Sequence, residues 1–403
     1  MGAALAIVGG ACSFDTSGVG GDGREPDARG TALDDANAPD DADAPDDAAA
    51  SPDARDLGDA DIPDDWWDPS LAYRVEISID VPGIDEDLED VPVLVILDDD
   101  RIDYDLLRED GGDLRAVSDD GDELPVEIEH FEPGARSFLW VRVKQVGDGA
   151  GFWLYFGHPD ADGNDRLSDV WREDYLAVWH LADDGALHVD STGNGHDGAP
   201  GGSERVGPET GAIGGAQEFD GSSHIEVATD AFPSVGDELT MLVRARTFEP
   251  EVDFPHVVGA GGDGRFWQIW FRGPSDAWGG RYRAGGTQTA VFGEVGAVDA
   301  WQVVALVYDG EDVRLYVDGE LAPPSPQNQS GDLDELDSPL LIGDNPELSP
   351  RGFLGYIDEV RIARAARSAD WIRVQHLSLS DELLSLGEVE ALADGAAARA
   401  TRP

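Results

Sequence analysis

From Tyr73 to Gly157 apolar and polar positions alternate in short runs, YRVEISI, VPVLVIL, DLRAV, LPVEIEHF, SFLWVRV and GFWLYFG, each bounded by Gly, Pro or Asp. A period of two over four to eight residues marks strands with one buried face. With no long amphipathic helix among them, residues 66–174 are expected to form a compact β-sandwich. The pattern resumes at YLAVWHL, Tyr175 to Leu181, and continues to about residue 387. Its clearest part is WQVVALVYDGEDVRLYVDGEL, Trp301 to Leu321, in which two alternating runs flank DGED and predict a hairpin. About two hundred residues of such runs suit a two-sheet jelly roll. SADWIRVQHLSLSDELLSL is the one good helical candidate, and residues 388–403 read as a disordered tail. The fold class expected is all-β, with two β-sandwich domains.

The segment before Trp66 breaks this pattern. Residues 13–65 are Asp, Ala, Gly and Pro with almost no aromatic side chain, and carry 17 acidic and 3 basic groups. Such a stretch cannot bury enough apolar surface to offset its ordering entropy, and its like charges extend it, so it is expected to be a disordered acidic linker. The acidity does not stop there: the chain of 403 residues has a formal net charge of −58, most of it outside the linker. A field of that sign repels phosphate backbones and anionic lipid surfaces, which excludes nucleic acid as a partner and favours cations. The only cysteine is Cys12, so an intramolecular disulfide and a cysteine-rich zinc site are both excluded. It ends the run MGAALAIVGGAC, residues 1–12, which resembles a bacterial lipoprotein signal segment. That resemblance implies lipidation of Cys12, export, and anchoring at the outer surface of the cell envelope; simple secretion is the alternative. Any membrane attachment would run through that anchor alone, and the protein is expected to be a monomer.

Two further resemblances rest on ordered sets of motifs. YRVEISI, VPVLVIL, GGDLRAVSDDGDELPVEIEHF, SFLWVRV, FWLYFGHPDA and VWREDYLAVWHL resemble the domain of unknown function numbered 2341, found on bacterial and archaeal surface proteins. AVWHL, DSTGNGHDG, GAIGGAQEFDGSSHIEV, WQVVALVYDGEDVRLYVDGE and GFLGYIDEVRIARAARSADWI are similar to the laminin-G-like, concanavalin-like jelly rolls. The second likeness implies a structural calcium ion where the start and end of the domain meet, held by Asp190, Asn194 and Asp358. Calcium takes six to eight hard oxygens, which these side chains and loop carbonyls supply. Asp190, Ser191 and Asn194 equally suit Asx-type turns with glycines at positive φ, so both readings of this loop stand.

The segment RFWQIWFRGPSDAWGGRYR concentrates aromatic residues. On a strand Phe266, Gln268 and Trp270 share one face, and Trp267, Ile269 and Phe271 the other. One face is core; the second is either covered or a sugar-stacking platform, with Trp270, Trp278 and Tyr282 as the candidate ligand-binding residues. Catalytic signatures are missing: EVDFPH, Glu251 to His256, only partly matches the E-x-D-x-x-E of glycanases, and neither G-x-S-x-G nor H-E-x-x-H occurs. The function expected is non-catalytic recognition or adhesion at the cell surface, with a glycan or an extracellular protein as partner. A polysaccharide-active enzyme and a structural spacer are the alternatives.

Overall fold

The computed structural model describes residues 63–147, 149–161, 169–171, 174–183, 187–202, 208–228, 232, 235–261, 267–346 and 350–392. Cys12, most of the acidic linker, Phe266 and the last eleven residues lie outside this set. The described chain is all-β apart from one α-helix and short 3-10 turns.

The first sandwich is built from β1 (Tyr73–Ile79), β2 (Leu88–Leu97), β3 (Arg115–Ser118), β4 (Glu123–Leu124), β5 (Val126–His130), β6 (Ser137–Val146) and β7 (Gly151–Phe156). In β1, Val75, Ile77 and Ile79 point into the core while Glu76 and Ser78 are exposed, the alternation read from the sequence. The second module follows as β8 (Tyr175–Trp179), β9 (Ala199–Gly202), β10 (Pro208–Thr210), β11 (Gly215–Asp220), β12 (Ser223–Val227), β13 (Leu239–Thr247), β14 (His256–Ala260), β15 (Trp267–Arg272), β16 (Ala277–Ala284), β17 (Thr287–Phe292), β18 (Trp301–Tyr308), β19 (Asp312–Val317), β20 (Glu320–Leu321), β21 (Gln327–Asn328), β22 (Leu340–Ile342) and β23 (Leu354–Ala363). Helix α1 (Ala369–Leu379) and β24 (Leu384–Ala391) close the chain.

The jelly roll has a seven-stranded sheet in the order β17-β16-β15-β14-β22-β12-β9. Its partner has nine strands, β10-β11-β23-β13-β18-β19-β20, with β8 paired to β23 and β21 to β19. The predicted hairpin is β18 and β19, in register Tyr308 with Val313. Asp309 accepts from the backbone N–H of Glu311 (3.1 Å) and Asp312 (2.7 Å), and Gly310 takes φ +84°, which a side chain at that position would resist.

β24 does not belong to the jelly roll or to a disordered tail. It pairs antiparallel with β1, giving the order β24-β1-β7-β3-β4, opposite the three-stranded sheet β2-β6-β5. Residues 388–391, expected to be disordered, are therefore strand, and the first sandwich is completed from the far end of the chain. α1 stops at Leu379, short of the span that its apolar pattern suggested.

The nine-stranded sheet is buried on both faces. Met241, Val243, Val304, Leu306 and Leu315 fill the jelly-roll core, while Leu242, Val303, Ala305, Val307 and Tyr316 join the core of the first sandwich and α1. The helix docks on β2, where Ser378 Oγ accepts from Leu94 N at 2.8 Å. The two modules thus share one continuous apolar layer.

Candidate functional site

Strand alternation places Glu127 and Glu129 on one side of β5. Across the junction, His180 follows β8, and Asp358, Glu359 and Arg361 come from β23. A β-bulge decides the last set. The register between β13 and β23 shifts so that Arg244 faces Glu359 and Ala245 faces Ile357, leaving Asp358 as the extra residue. Ile357 and Val360 both enter the jelly-roll core, and Asp358 and Glu359 are freed to leave it together.

These side chains form a buried charged cluster. His180 Nδ1 lies 2.5 Å from Glu359 Oε1 and 3.5 Å from Glu129 Oε2, and its Nε2 lies 3.6 Å from Glu127 Oε1. Each carboxylate is also held from outside: Trp140 Nε1 donates to Glu129 Oε2 at 2.8 Å, Trp171 Nε1 to Glu127 Oε2, and Arg361 Nε to Glu359 Oε2 at 3.1 Å. Trp140 stacks on His180 at 5.7 Å, and the Arg361 guanidinium sits 4.2 Å above Trp140 and 4.8 Å above Trp171. Arg361 Nη1 donates to Gln375 Oε1 of α1 at 2.7 Å, and Gln375 Nε2 to Pro92 O of β2 at 2.9 Å, so both modules and the helix meet here.

Burial sets the protonation of these groups. It pushes the Glu129 carboxyl up to about 7, against the attraction of His180. It opposes the charge on His180, but Glu359, Glu129 and Glu127 together outweigh it and hold the imidazole well above its ordinary value. Burial would raise Glu359 too, yet Arg361 and His180 bring it below the usual carboxylate range. Asp358 stays well above that range, since burial dominates the pull of Arg244.

A cleft of about 540 Å³ opens beside the cluster, lined by His130, Glu132, Arg136, Ala182 and the loop from Gly211 to Gly215. A Cβ at Gly214 would stand 2.9 Å from Glu129 Oε1, an oxygen with no hydrogen-bond partner.

Each of the residues expected to hold calcium is engaged by protein partners of its own. Asp190 organises its own loop, accepting from the N–H groups of Val178, Thr192 and His196, each at 3.1 Å, and from Thr192 Oγ1 at 2.8 Å. Asn194 turns its amide N–H₂ to the carbonyls of Tyr175 and Leu176, both at 3.1 Å. Asp358 accepts instead from Ala212 N (2.7 Å) and Ile213 N (2.9 Å) and shares no partner with Asp190. The DSTGNG loop is a turn folded around a carboxylate already supplied with N–H donors. Among the described residues, the acidic and imidazole groups close enough to hold one ion are Glu129, His180 and Glu359, whose ligand atoms lie within 4.8 Å of one another.

The aromatic candidates separate in the same way. Trp278 and Tyr282 are core residues: Trp278 Nε1 donates to Gln302 Oε1 at 2.9 Å, and Tyr282 Oη to Leu306 O at 2.7 Å. Their register partners Phe271 and Trp267 point inward, which fixes their own direction. Trp270, expected as a stacking platform, lies on the outer face of the seven-stranded sheet but is itself fully buried, opposite Gly279, where the missing side chain leaves room for the indole. Around it stand Phe292 (5.6 Å), His256 (5.8 Å) and Phe254 (6.4 Å), with the Arg281 guanidinium 4.8 Å above the ring. The indole N–H is buried with no hydrogen-bond partner, while Phe292 is 45% exposed. Burial pushes the His256 imidazole down to about 3, so it is neutral; its Nδ1 lies 2.9 Å from Phe254 O. Glu251 and Asp253, from the partial glycanase match, are exposed ahead of β14.

Residues 219–373 match a family model described as the concanavalin A-like lectin/glucanases superfamily, and the match lies wholly within the second module and α1. No curated protein matches the chain. Among solved structures, domain 4 of AbnA, a GH43 extracellular arabinanase from Geobacillus stearothermophilus, in complex with arabinotriose, is 18% identical over 50% of this chain and 97% of that one, with a TM-score of 0.40. The receptor-binding domain of a botulinum neurotoxin C/D mosaic serotype is 11% identical, with a TM-score of 0.41, and about half of each chain (51%) is covered. A Trypanosoma rangeli sialidase is 14% identical over 67% of this chain and 44% of that one, at 0.41. These are likenesses of sheet arrangement and no more.

Proposed function

We propose that the protein is a non-catalytic recognition protein of the cell surface that binds carbohydrate on the outer face of the seven-stranded sheet, around Trp270. One observation carries the reading: a buried indole N–H without a partner lies beneath Phe254, Phe292 and Arg281, on the jelly-roll sheet face that the first sandwich leaves uncovered. Aromatic rings offer flat apolar surface to a pyranose, and adjacent donors orient its hydroxyls. Export and attachment through Cys12, with the acidic segment as tether, would place this face outside the cell.

A glycan array probed with the full chain tests this. Binding that Phe292→Ala or Arg281→Ala reduces, with the fold intact by circular dichroism, is the expected result. Binding to no glycan, or binding that both variants retain in full, overturns it. Capture of a surface protein through the same residues would move the ligand class from sugar to protein, and release of reducing ends from polysaccharide would replace recognition with hydrolysis.

A further inference from the structure

We propose that Glu129, His180 and Glu359 bind one divalent cation of the zinc class at the junction of the two sandwiches. The ligand atoms already lie within 4.8 Å of one another, and His180 Nδ1 is the nitrogen that faces both carboxylates, at 2.5 and 3.5 Å. The other ring nitrogen lies 3.6 Å from Glu127 Oε1, and Glu127 is itself fixed by Trp171. A histidine whose second nitrogen meets a carboxylate is the outer-shell arrangement that orients metal-ligating imidazoles. Trp140 and Arg361 hold the two carboxylate ligands in the same manner.

One unsatisfied atom points to an ion. Glu129 Oε1 has no hydrogen-bond partner, and its side chain is only 3% exposed. Buried polar atoms are rarely left so. One nitrogen and two carboxylates form a borderline donor set suited to zinc or its neighbours, not to calcium, which takes oxygen ligands. The cleft beside Gly214 supplies a route in.

The test uses the full chain, stripped with a strong chelator and titrated with Zn²⁺ against a competing chelator, with Co²⁺ as a spectroscopic substitute. Expected are one tight equivalent per chain, a raised Tm, and Co²⁺ visible bands showing nitrogen ligation. Glu129→Gln should keep the Trp140 contact yet weaken that equivalent by more than the roughly 10–100-fold that loss of an outer-shell partner costs. Gly214→Val should slow uptake. The proposal fails if Glu129→Gln and His180→Gln retain the tight equivalent, which would locate it on the acidic surface, or if Ca²⁺ competes as well as Zn²⁺. Should those variants not fold, Co²⁺ bands lacking nitrogen ligation in the wild type would overturn it alone.

Discussion

The two sheets of the jelly roll come from the same chain chemistry and have outer faces of opposite fate. On the nine-stranded sheet that face carries Leu242, Val303, Ala305 and Val307 and is sealed by the first sandwich and α1. On the seven-stranded sheet it carries His224, Glu226, Arg281, Arg283 and Phe292, and β12, β16 and β17 show the mixed exposure of a surface, while β14, β15 and β22 between them are buried almost throughout. A sheet faces water on one side only when that side is polar, and alternation writes the choice into each strand. The continuous apolar run WQVVALVY accordingly belongs to a strand enclosed on both sides, and TQTAVF to an exposed edge strand.

The sharpest way to break this contrast is to place a charge on the sealed face. Leu242→Asp should cost more than about 4 kcal/mol in chemical denaturation, because an unpaired carboxylate would be buried between the modules. An equivalent charge at Phe292 should cost under about 1 kcal/mol; equal costs would mean that the two faces are not different. Next comes the polar inset of the sealed face. Arg361→Ala strands Glu359 in the interior and should cost roughly 3–5 kcal/mol, read by the same measurement. Arg361→Met with Glu359→Leu should recover most of it.

A smaller effect, visible only in acid, belongs to a buried residue on the outer side of the seven-stranded sheet. The His256 imidazole titrates near 3 in the folded protein against 6.5 when unfolded. The unfolded chain therefore takes the proton first, so the contribution is complete above pH 6.5 and is lost as pH falls toward 3. The loss is about 2 kcal/mol by pH 5. His256→Gln should flatten the Tm-against-pH curve in that window; an unchanged slope would refute a buried neutral imidazole. The smallest effect on stability, under about 0.5 kcal/mol, is expected for Arg281→Ala, a surface change. In the proposed function that same change has the larger effect on binding, so stability and affinity should part company on this face alone.

Much of the fold was legible. YRVEISI, SFLWVRV, GFWLYF and the Trp301–Val317 hairpin are strands where alternation placed them. So were the two faces of β15: Trp267, Ile269 and Phe271 are in the core, and Trp270 is on the other side. β24 was not legible, because an edge strand exposed along most of its length carries no apolar rhythm, and LSLGEVEA continues a helical pattern. The inter-module cluster was missed for a different reason. In a chain with 85 acidic residues three glutamates do not stand out, and their convergence is a property of the docked modules. The usable signal was local: AVWHL, IDEVRI and LPVEIEHF each set a charged group or a histidine inside an apolar strand, where burial requires a partner.

The position of β24 sets a schedule for the ribosome. Arg74 and Glu390 bond across 316 residues of sequence, and the strand that flanks β1 is made after every strand of the jelly roll. During synthesis the jelly roll has all of its own strands before the five-stranded sheet of the first sandwich has its fifth, so of the two modules the one that begins first finishes second. Until then one edge of β1 stands unpaired, the kind of edge that recruits foreign strands. Closing so long a loop is slow on topological grounds, and the late step should be the one that a chaperone waits upon.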